Sequence, residues 1–220
     1  MSKEWKGNKK SVSTMLGMST TWNPENRAAG DYYTTDPTAV RQFLDTLDFK
    51  LTNGVVWECA CGCGNISEVL KEYGHKVLST DLHDRGYGWN GFDFLQSKLI
   101  DDKCDVIFTN PPYSMANEFI LHAMDILPNN GEYYALMNIS YLTGIKRFQE
   151  IYSKGYLYSV YIYSHRIHCY KNNQNTGHSS PVNLPGLDLL KVSLHDHQEY
   201  IGLKNNKILT HYGNTRILCA

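Results

Sequence analysis

Cys104-Asp105-Val106-Ile107-Phe108-Thr109-Asn110-Pro111-Pro112-Tyr113-Ser114 is the stretch on which the reading of this chain turns. Up to Phe108 it is β-branched and aromatic with no turn residue, the composition of a buried parallel strand. Asn110-Pro111-Pro112 then ends it. Two successive prolines remove two backbone donors and fix φ at both positions, so the chain leaves the sheet in one stiff conformation. The Asn110 side chain and its neighbouring carbonyls are thereby presented beyond the strand's carboxyl end, where open α/β sheets place their ligands.

The chemistry that suits such a corner is methyl transfer to an amide-like nitrogen. An exocyclic amino group conjugated to a ring is a poor nucleophile, because its lone pair is delocalised. If the Asn110 side-chain oxygen and the Pro111 carbonyl both accept from the amino hydrogens, the nitrogen is pushed towards a tetrahedral shape with its lone pair aimed at an electrophilic methyl. Neither acceptor has to titrate, so the corner works by orientation and electrostatics. Tyr113 supplies a flat face for stacking a planar base taken out of a duplex. The competing reading is an Asn-capped turn between strand and helix. Against it, Asn-Pro-Pro-Tyr arises by chance in roughly one chain of this size in a thousand.

The chain's 220 residues, 42% of them apolar, suffice for one core. A single domain over residues 30–220 is expected, preceded by a flexible polar arm at 1–29. No apolar run has the length needed to cross a membrane, and the N-terminus lacks the apolar core of a secretory signal, so a cytoplasmic protein without a membrane partner is expected. The six cysteines (Cys59, Cys61, Cys63, Cys104, Cys169 and Cys219) read as reduced thiols. A net charge of −1 requires any phosphate contact to be local: candidates are Lys3, Lys6, Lys9 and Lys10, then Lys146-Arg147, and Arg166 with Lys171.

Outward from the central strand, the elements alternate. Asp36-Pro37 is a helix start, with Val40, Phe43, Leu44 and Leu47 forming an inward face to about Phe49. Val55 to Asn65 is strand, glycine-bearing turn and helix start, and Gly62-x-Gly64 lets a ligand approach the backbone. The helix continues through Ile66, Val69, Leu70 and Tyr73 to Gly74. Strand Lys76 to Thr80 ends in Asp81, at the distance from the glycines where an acid meets ribose hydroxyls in nucleotide-binding βαβ units. Cys59, Cys61 and Cys63 alternate in a tight turn and cannot surround one ion, so no metal is expected. Residues 83–90 read as a loop, closed by Gly91-Phe92-Asp93-Phe94-Leu95. A helix over Phe119 to Leu127, a strand from Gly131 to Ile139, a helix from Ile145 to Tyr152 and a strand from Tyr156 to Tyr163 follow. This order predicts a mostly parallel sheet with helices on both faces. Residues 164–186 are irregular and long enough to be functional, and Glu199 to His211 reads as a hairpin turning at Asn205-Asn206.

With these residues in view, the sequence resembles the S-adenosylmethionine-dependent DNA adenine-N6 methyltransferases, closest to the short phage-type and restriction-modification enzymes. The resemblance covers about residues 31–165 and implies a Rossmann-like class I methyltransferase fold with a seven-stranded sheet. It implies that Asn110, Pro111, Pro112 and Tyr113 are the catalytic motif. Tyr33 and Thr35 are similar to the segment that meets the methionine carboxylate, and Glu58 with Cys59, Ala60 and Gly62 to the methionine-binding turn. Asp81 and Leu82 correspond to the ribose-binding acid and its neighbour, and Asp93 and Phe94 to the adenine-binding pair. The chain departs from the family at Cys59-Ala60-Cys61, where Pro and small residues often follow the acid, and in its short C-terminal part. Residues 164–187 fall where the family has a target-recognition or lid loop, with Arg166 and His168 against the flipped base. The implied cofactor is S-adenosyl-L-methionine and the implied partner is DNA; a partner subunit or a homodimer for target recognition is left open. Methyltransferases acting on guanine-N2 of rRNA or on protein glutamine resemble the tetrad too, and an inactive binding protein of the same fold is a further alternative. The Tyr33-x-Thr35 segment favours DNA adenine, and the intact tetrad with Asp81 favours an enzyme.

Overall fold

The computed structural model describes residues 32–47, 51–98, 101, 103–163, 169–171, 187–193, 210–212 and 215–219. The arm at 1–29, Arg166 and His168, and most of residues 164–186 lie outside them. In chain order the elements are β1 (Tyr33–Thr35), α1 (Pro37–Asp45), β2 (Val55–Glu58), α2 (Asn65–Glu72), β3 (Lys76–Ser79), β4 (Cys104–Thr109), α3 (Ala116–Ile126), β5 (Glu132–Asn138), α4 (Ile145–Glu150), β6 (Leu157–Ile162), β7 (Cys169–Lys171), β8 (Leu187–Ser193), β9 (Thr210–Tyr212) and β10 (Thr215–Cys219).

α1 starts where the sequence places it, while α3 begins at Ala116, a turn ahead of Phe119. The Asp36 carboxylate accepts from the Thr38 N–H at 2.9 Å with Pro37 at the first helical position, satisfying a donor that the first turn would leave orphaned. α1 ends at Asp45 rather than near Phe49. The Thr46 hydroxyl donates back to the Phe43 carbonyl at 2.6 Å and closes the last turn.

The main sheet has the order β3-β2-β4-β5-β8-β6-β10-β9. β3, β2, β4 and β5 pair in parallel. β8 lies antiparallel between β5 and β6, β10 is parallel to β6, and β9 is antiparallel to β10. The sheet is therefore mostly parallel as expected, but among the described residues it has eight strands, not seven. The additional pairing comes from the C-terminal part. There β9 pairs antiparallel with β10, Thr215 opposite Tyr212 and Ile217 opposite Thr210; the hairpin expected to turn at Asn205-Asn206 lies largely outside the described residues. β8, like β1, β7 and β10, is a strand the periodicity does not single out; Leu-Asp-Leu-Leu-Lys-Val-Ser fits neither strict alternation nor a continuous apolar run.

Side-chain alternation sorts the sheet into two faces. Val56, Val106, Phe108, Tyr134 and Leu136 pack on α1 and α2 through Val40, Phe43, Ile66 and Leu70. Trp57, Ile107, Tyr133, Ala135 and Met137 pack on α3 through Phe119, Ile120, Ala123 and Met124. Helices thus cover both faces, and the carboxyl ends of β2, β3 and β4 meet at one edge. A separate pairing of β1 with β7, Tyr33 opposite Lys171 and Thr35 opposite Cys169, brings part of the 164–187 segment alongside that edge.

Candidate active site

A cavity of about 410 Å³ opens beyond the ends of β2, β3 and β4. Every described residue that the sequence nominates for the cofactor or the catalytic corner lines it: Tyr33 and Thr35, Glu58 to Ala60 and Gly62, Asp81 and Leu82, Asp93 and Phe94, and Asn110 to Tyr113; Lys146 and Arg147, candidates for phosphate contact, do not. Segments far apart in the chain converge here, Tyr33 and Asn110 being 77 positions apart.

Asn110 is held from the side. Its amide nitrogen donates to the Tyr33 carbonyl at 3.2 Å and to the Thr35 hydroxyl oxygen at 3.0 Å. A backbone carbonyl only accepts, so the NH₂ must face Tyr33, and the side-chain oxygen is the group left to meet a ligand. Asn110 is followed by Pro111 and Pro112, with Pro112 at φ −60° leading into a single 3₁₀ turn, Tyr113–Met115. The Tyr113 ring lies nearly parallel to Tyr33, with centroids 6.3 Å apart and an interplanar angle of 22°. The Tyr141 hydroxyl donates to the Tyr113 carbonyl, and the two rings lie 6.1 Å apart between centroids.

The glycine turn is tied to Asp81. One Asp81 oxygen accepts from the Gly62 N–H and the other from the His83 N–H, both at 2.8 Å. A carboxylate has about four lone-pair sites, so each oxygen keeps acceptor capacity for a hydroxyl donor. Gly62 has φ +55° and Gly64 φ +86°, and a Cβ on either would strike a tyrosine ring, Tyr32 at 2.7 Å or Tyr87 at 2.6 Å. Tyr87 is fixed over Gly64 by hydrogen bonds from its hydroxyl to Glu68 at 2.6 Å and from Lys71 to that hydroxyl at 2.7 Å. Arg85 stacks on Tyr32, its guanidinium carbon 3.7 Å from the ring centre.

Glu58 is buried beneath this turn. The Ser67 hydroxyl donates to it and lies 2.7 Å from the Ser79 hydroxyl. Burial holds the Glu58 carboxyl well above the usual carboxylate range. The same cause pushes the Cys59 thiol well up and the Cys61 thiol up to about 12, so both are protonated at neutral pH. Cys59, Cys61, Cys63 and Cys104 are free thiols. Among the described residues no group of three His, Cys, Asp or Glu side chains is placed to hold a metal ion.

The Asp93 carboxylate is engaged within its own turn, accepting from the Leu95 N–H at 3.0 Å and from the Gln96 amide at 2.8 Å. Phe94 is buried, 4.9 Å from Phe119 and 5.3 Å from Trp57 between ring centres. Leu82, by contrast, is 52% exposed. Tyr32, Arg85, Phe92, Leu95 and Met115 also line the cavity and were not singled out from the sequence. Gly86-Tyr87-Gly88 was the available signal for Arg85. Gly88 at φ +69° passes close to the Ser79 carbonyl, and Trp89 and Ser79 hydrogen-bond, folding the loop back over the turn.

No family model and no curated protein matches the chain. Solved structures do resemble it. A type I restriction-modification system methyltransferase subunit from Streptococcus thermophilus aligns with a TM-score of 0.52 at 14% identity, covering 74% of this chain and 44% of that one. A protein from Listeria monocytogenes described as a class I S-adenosylmethionine-dependent methyltransferase aligns with a TM-score of 0.51 at 11% identity, covering 89% and 69%. One from Pyrococcus horikoshii described as an RNA methyltransferase aligns at 0.50 and 17%, covering 84% and 97%. The fold is that of the class I methyltransferases. In that fold the Gly62 turn, Asp81 and the Asn110 corner share one cavity, and it is their own geometry that narrows the chemistry.

Proposed function

We propose that this protein transfers a methyl group from S-adenosyl-L-methionine to the N6 amino group of adenine in DNA, acting on a base flipped out of the duplex. The observation that carries this reading is the tethered Asn110 amide. Its nitrogen is committed to β1, leaving its oxygen as an acceptor for an NH₂ group; the Pro111 carbonyl of the next residue is the second acceptor this reading assigns. Such a pair localises the amino lone pair and orients it, with no side chain changing its protonation state.

The residues of the glycine turn suit the cofactor. A cavity of about 410 Å³ is of ordinary size for a bound small molecule. Asp81 holds the turn through Gly62 and keeps acceptor capacity for ribose hydroxyls. Tyr33 and Thr35 on β1 line the same cavity, and this reading gives them the carboxylate end, while Leu82 offers an exposed apolar face to a purine. Glu58, its carboxyl held above the usual carboxylate range by burial, accepts from the Ser67 hydroxyl beneath the turn. When bound, the cofactor supplies a methyl group on a positively charged sulfur. Tyr113 gives the flipped adenine a stacking face, and its alignment with Tyr33 holds that face steady. Arg166 and His168 remain candidates for the other face of the base.

Incubation with radiolabelled S-adenosylmethionine and unmethylated DNA, RNA and protein in parallel tests the reading. N6-methyladenine in digested DNA is the expected product. Label in RNA or protein alone points instead to the rRNA or glutamine chemistry, and no cofactor binding by calorimetry points to an inactive binding protein.

A further inference from the structure

Seven large apolar side chains stand exposed among the described residues, and six of them occupy one edge of the sheet: Leu82 and Trp89 after β3, Met115 after β4, and Ile139, Ile145 and Phe148 after β5. Single exposed apolar side chains are ordinary; a concentration in the segments that follow the carboxyl ends of β3, β4 and β5, two of them (Leu82 and Met115) lining the cavity, marks a contact surface. Ile145 is the most exposed of all at 80%, with Phe148 at 60% one helical turn away on α4.

The tip that carries Ile145 is built rather than loose. Gly144 turns the chain at φ +122° immediately before it. Arg147 braces the corner, donating to the Thr143 carbonyl and, through Nε, to the Asn117 side-chain oxygen at 3.2 Å. The same guanidinium lies 4.2 Å from the centre of the Tyr141 ring, and Tyr141 holds the Tyr113 carbonyl. Two contacts, Arg147 on the Tyr141 ring and Tyr141 to the Tyr113 carbonyl, thus connect the apolar tip to the stacking tyrosine of the catalytic corner. Lys146 stands beside it, paired only loosely with Glu118 and Glu150 at 3.9 Å each, contacts that a phosphate can replace.

We propose that Ile145, with Phe148 behind it, is the wedge that enters the DNA duplex and fills the space left by the flipped adenine, while Lys146 meets the flanking phosphate. This rests on the DNA-adenine reading above. Extruding a base leaves a gap in the stack, and apolar side chains inserted between base steps are a recurrent means of holding a duplex open. A partner with an apolar stacked interior and an anionic rim matches an apolar tip flanked by a basic side chain.

The test first maps the methylated site in genomic DNA with the wild-type protein, then compares synthetic duplexes carrying that site. One is fully paired, and one has an abasic position opposite the target adenine, so that no pairing must be broken. Ile145→Ala with Phe148→Ala is expected to lower kcat/KM at least tenfold on the paired duplex and less than twofold on the abasic one, with Ile145→Leu retaining wild-type behaviour. Cofactor affinity by calorimetry, unchanged in the double variant, certifies its fold. Equal losses on both duplexes, no loss on either, or a changed sedimentation coefficient indicating a contact between two copies overturns the wedge alone. No methyladenine from the wild type removes the DNA reading and the wedge with it.

Discussion

The side-chain amide of Asn110 donates to the backbone carbonyl of Tyr33 across 3.2 Å, joining residues 77 positions apart. The Thr35 hydroxyl oxygen supplies the second acceptor, so the amide is oriented by two partners on one short strand.

Removing one of those partners loosens the orientation without touching the acceptor oxygen. Thr35→Val is expected to lower kcat about tenfold, the worth of roughly one hydrogen bond in the transition state, while cofactor affinity changes little. Asn110→Ala abolishes transfer with cofactor binding largely intact. Steady-state kinetics beside calorimetry separate the two; a Thr35→Val enzyme with unchanged kcat dissociates the tether from turnover.

Asp81 joins the glycine turn to the loop after β3 by accepting from Gly62 and His83. Asp81→Asn replaces one acceptor oxygen by an NH₂ facing a backbone N–H. The variant is expected to lose about 1–3 kcal/mol of stability and at least tenfold in affinity for S-adenosylmethionine. Urea unfolding and titration calorimetry report the two effects separately.

Glu58 predicts a pH signature. Its carboxyl is held well above the ordinary value of 4.5 by burial. The folded state therefore keeps a proton that the unfolded chain gives up, and the stability associated with Glu58 is full below that value and falls as pH rises towards the folded pKa. Glu58→Gln keeps a neutral group of the same size. The melting temperature of the variant relative to wild type should rise steadily from acidic to alkaline pH; a difference that does not depend on pH would show an ionised Glu58.

At Gly64 the backbone has φ +86° and the Tyr87 ring lies 2.6 Å from where a Cβ would be. Gly64→Ala is expected to cost about 1–2 kcal/mol for the left-handed backbone and more for the clash. In a Tyr87→Ala background the clash disappears and only the backbone cost remains. Equilibrium unfolding of the four proteins in a double-mutant cycle measures the difference, and strict additivity would mean that the ring yields freely.

The C-terminal part shows where local pattern ceased to inform. β8, inserted antiparallel between β5 and β6, is defined by what it pairs with, because Leu187 to Ser193 carries no periodicity of its own. The same holds at the site. Asp81 and the Asn110 corner were recognisable because a terminal acid on a strand and a proline-locked exit are local chemical features. Tyr32, Arg85 and Tyr141 were not, since their roles arise from what they touch.

From the amino-acid order alone came the strand that stops at Asn110, the capped start of α1, the Gly62 turn and the alternation of strands and helices, because each depends on dihedral restriction, capping or periodicity within a few residues. Only the folded chain decided which way the Asn110 amide faces, that Glu58 is sealed beneath the turn, and that Ile145 is braced through Arg147 and Tyr141 to Tyr113. Those depend on hydrogen bonds and burial between segments distant in the chain, and no local preference encodes which distant atoms will meet.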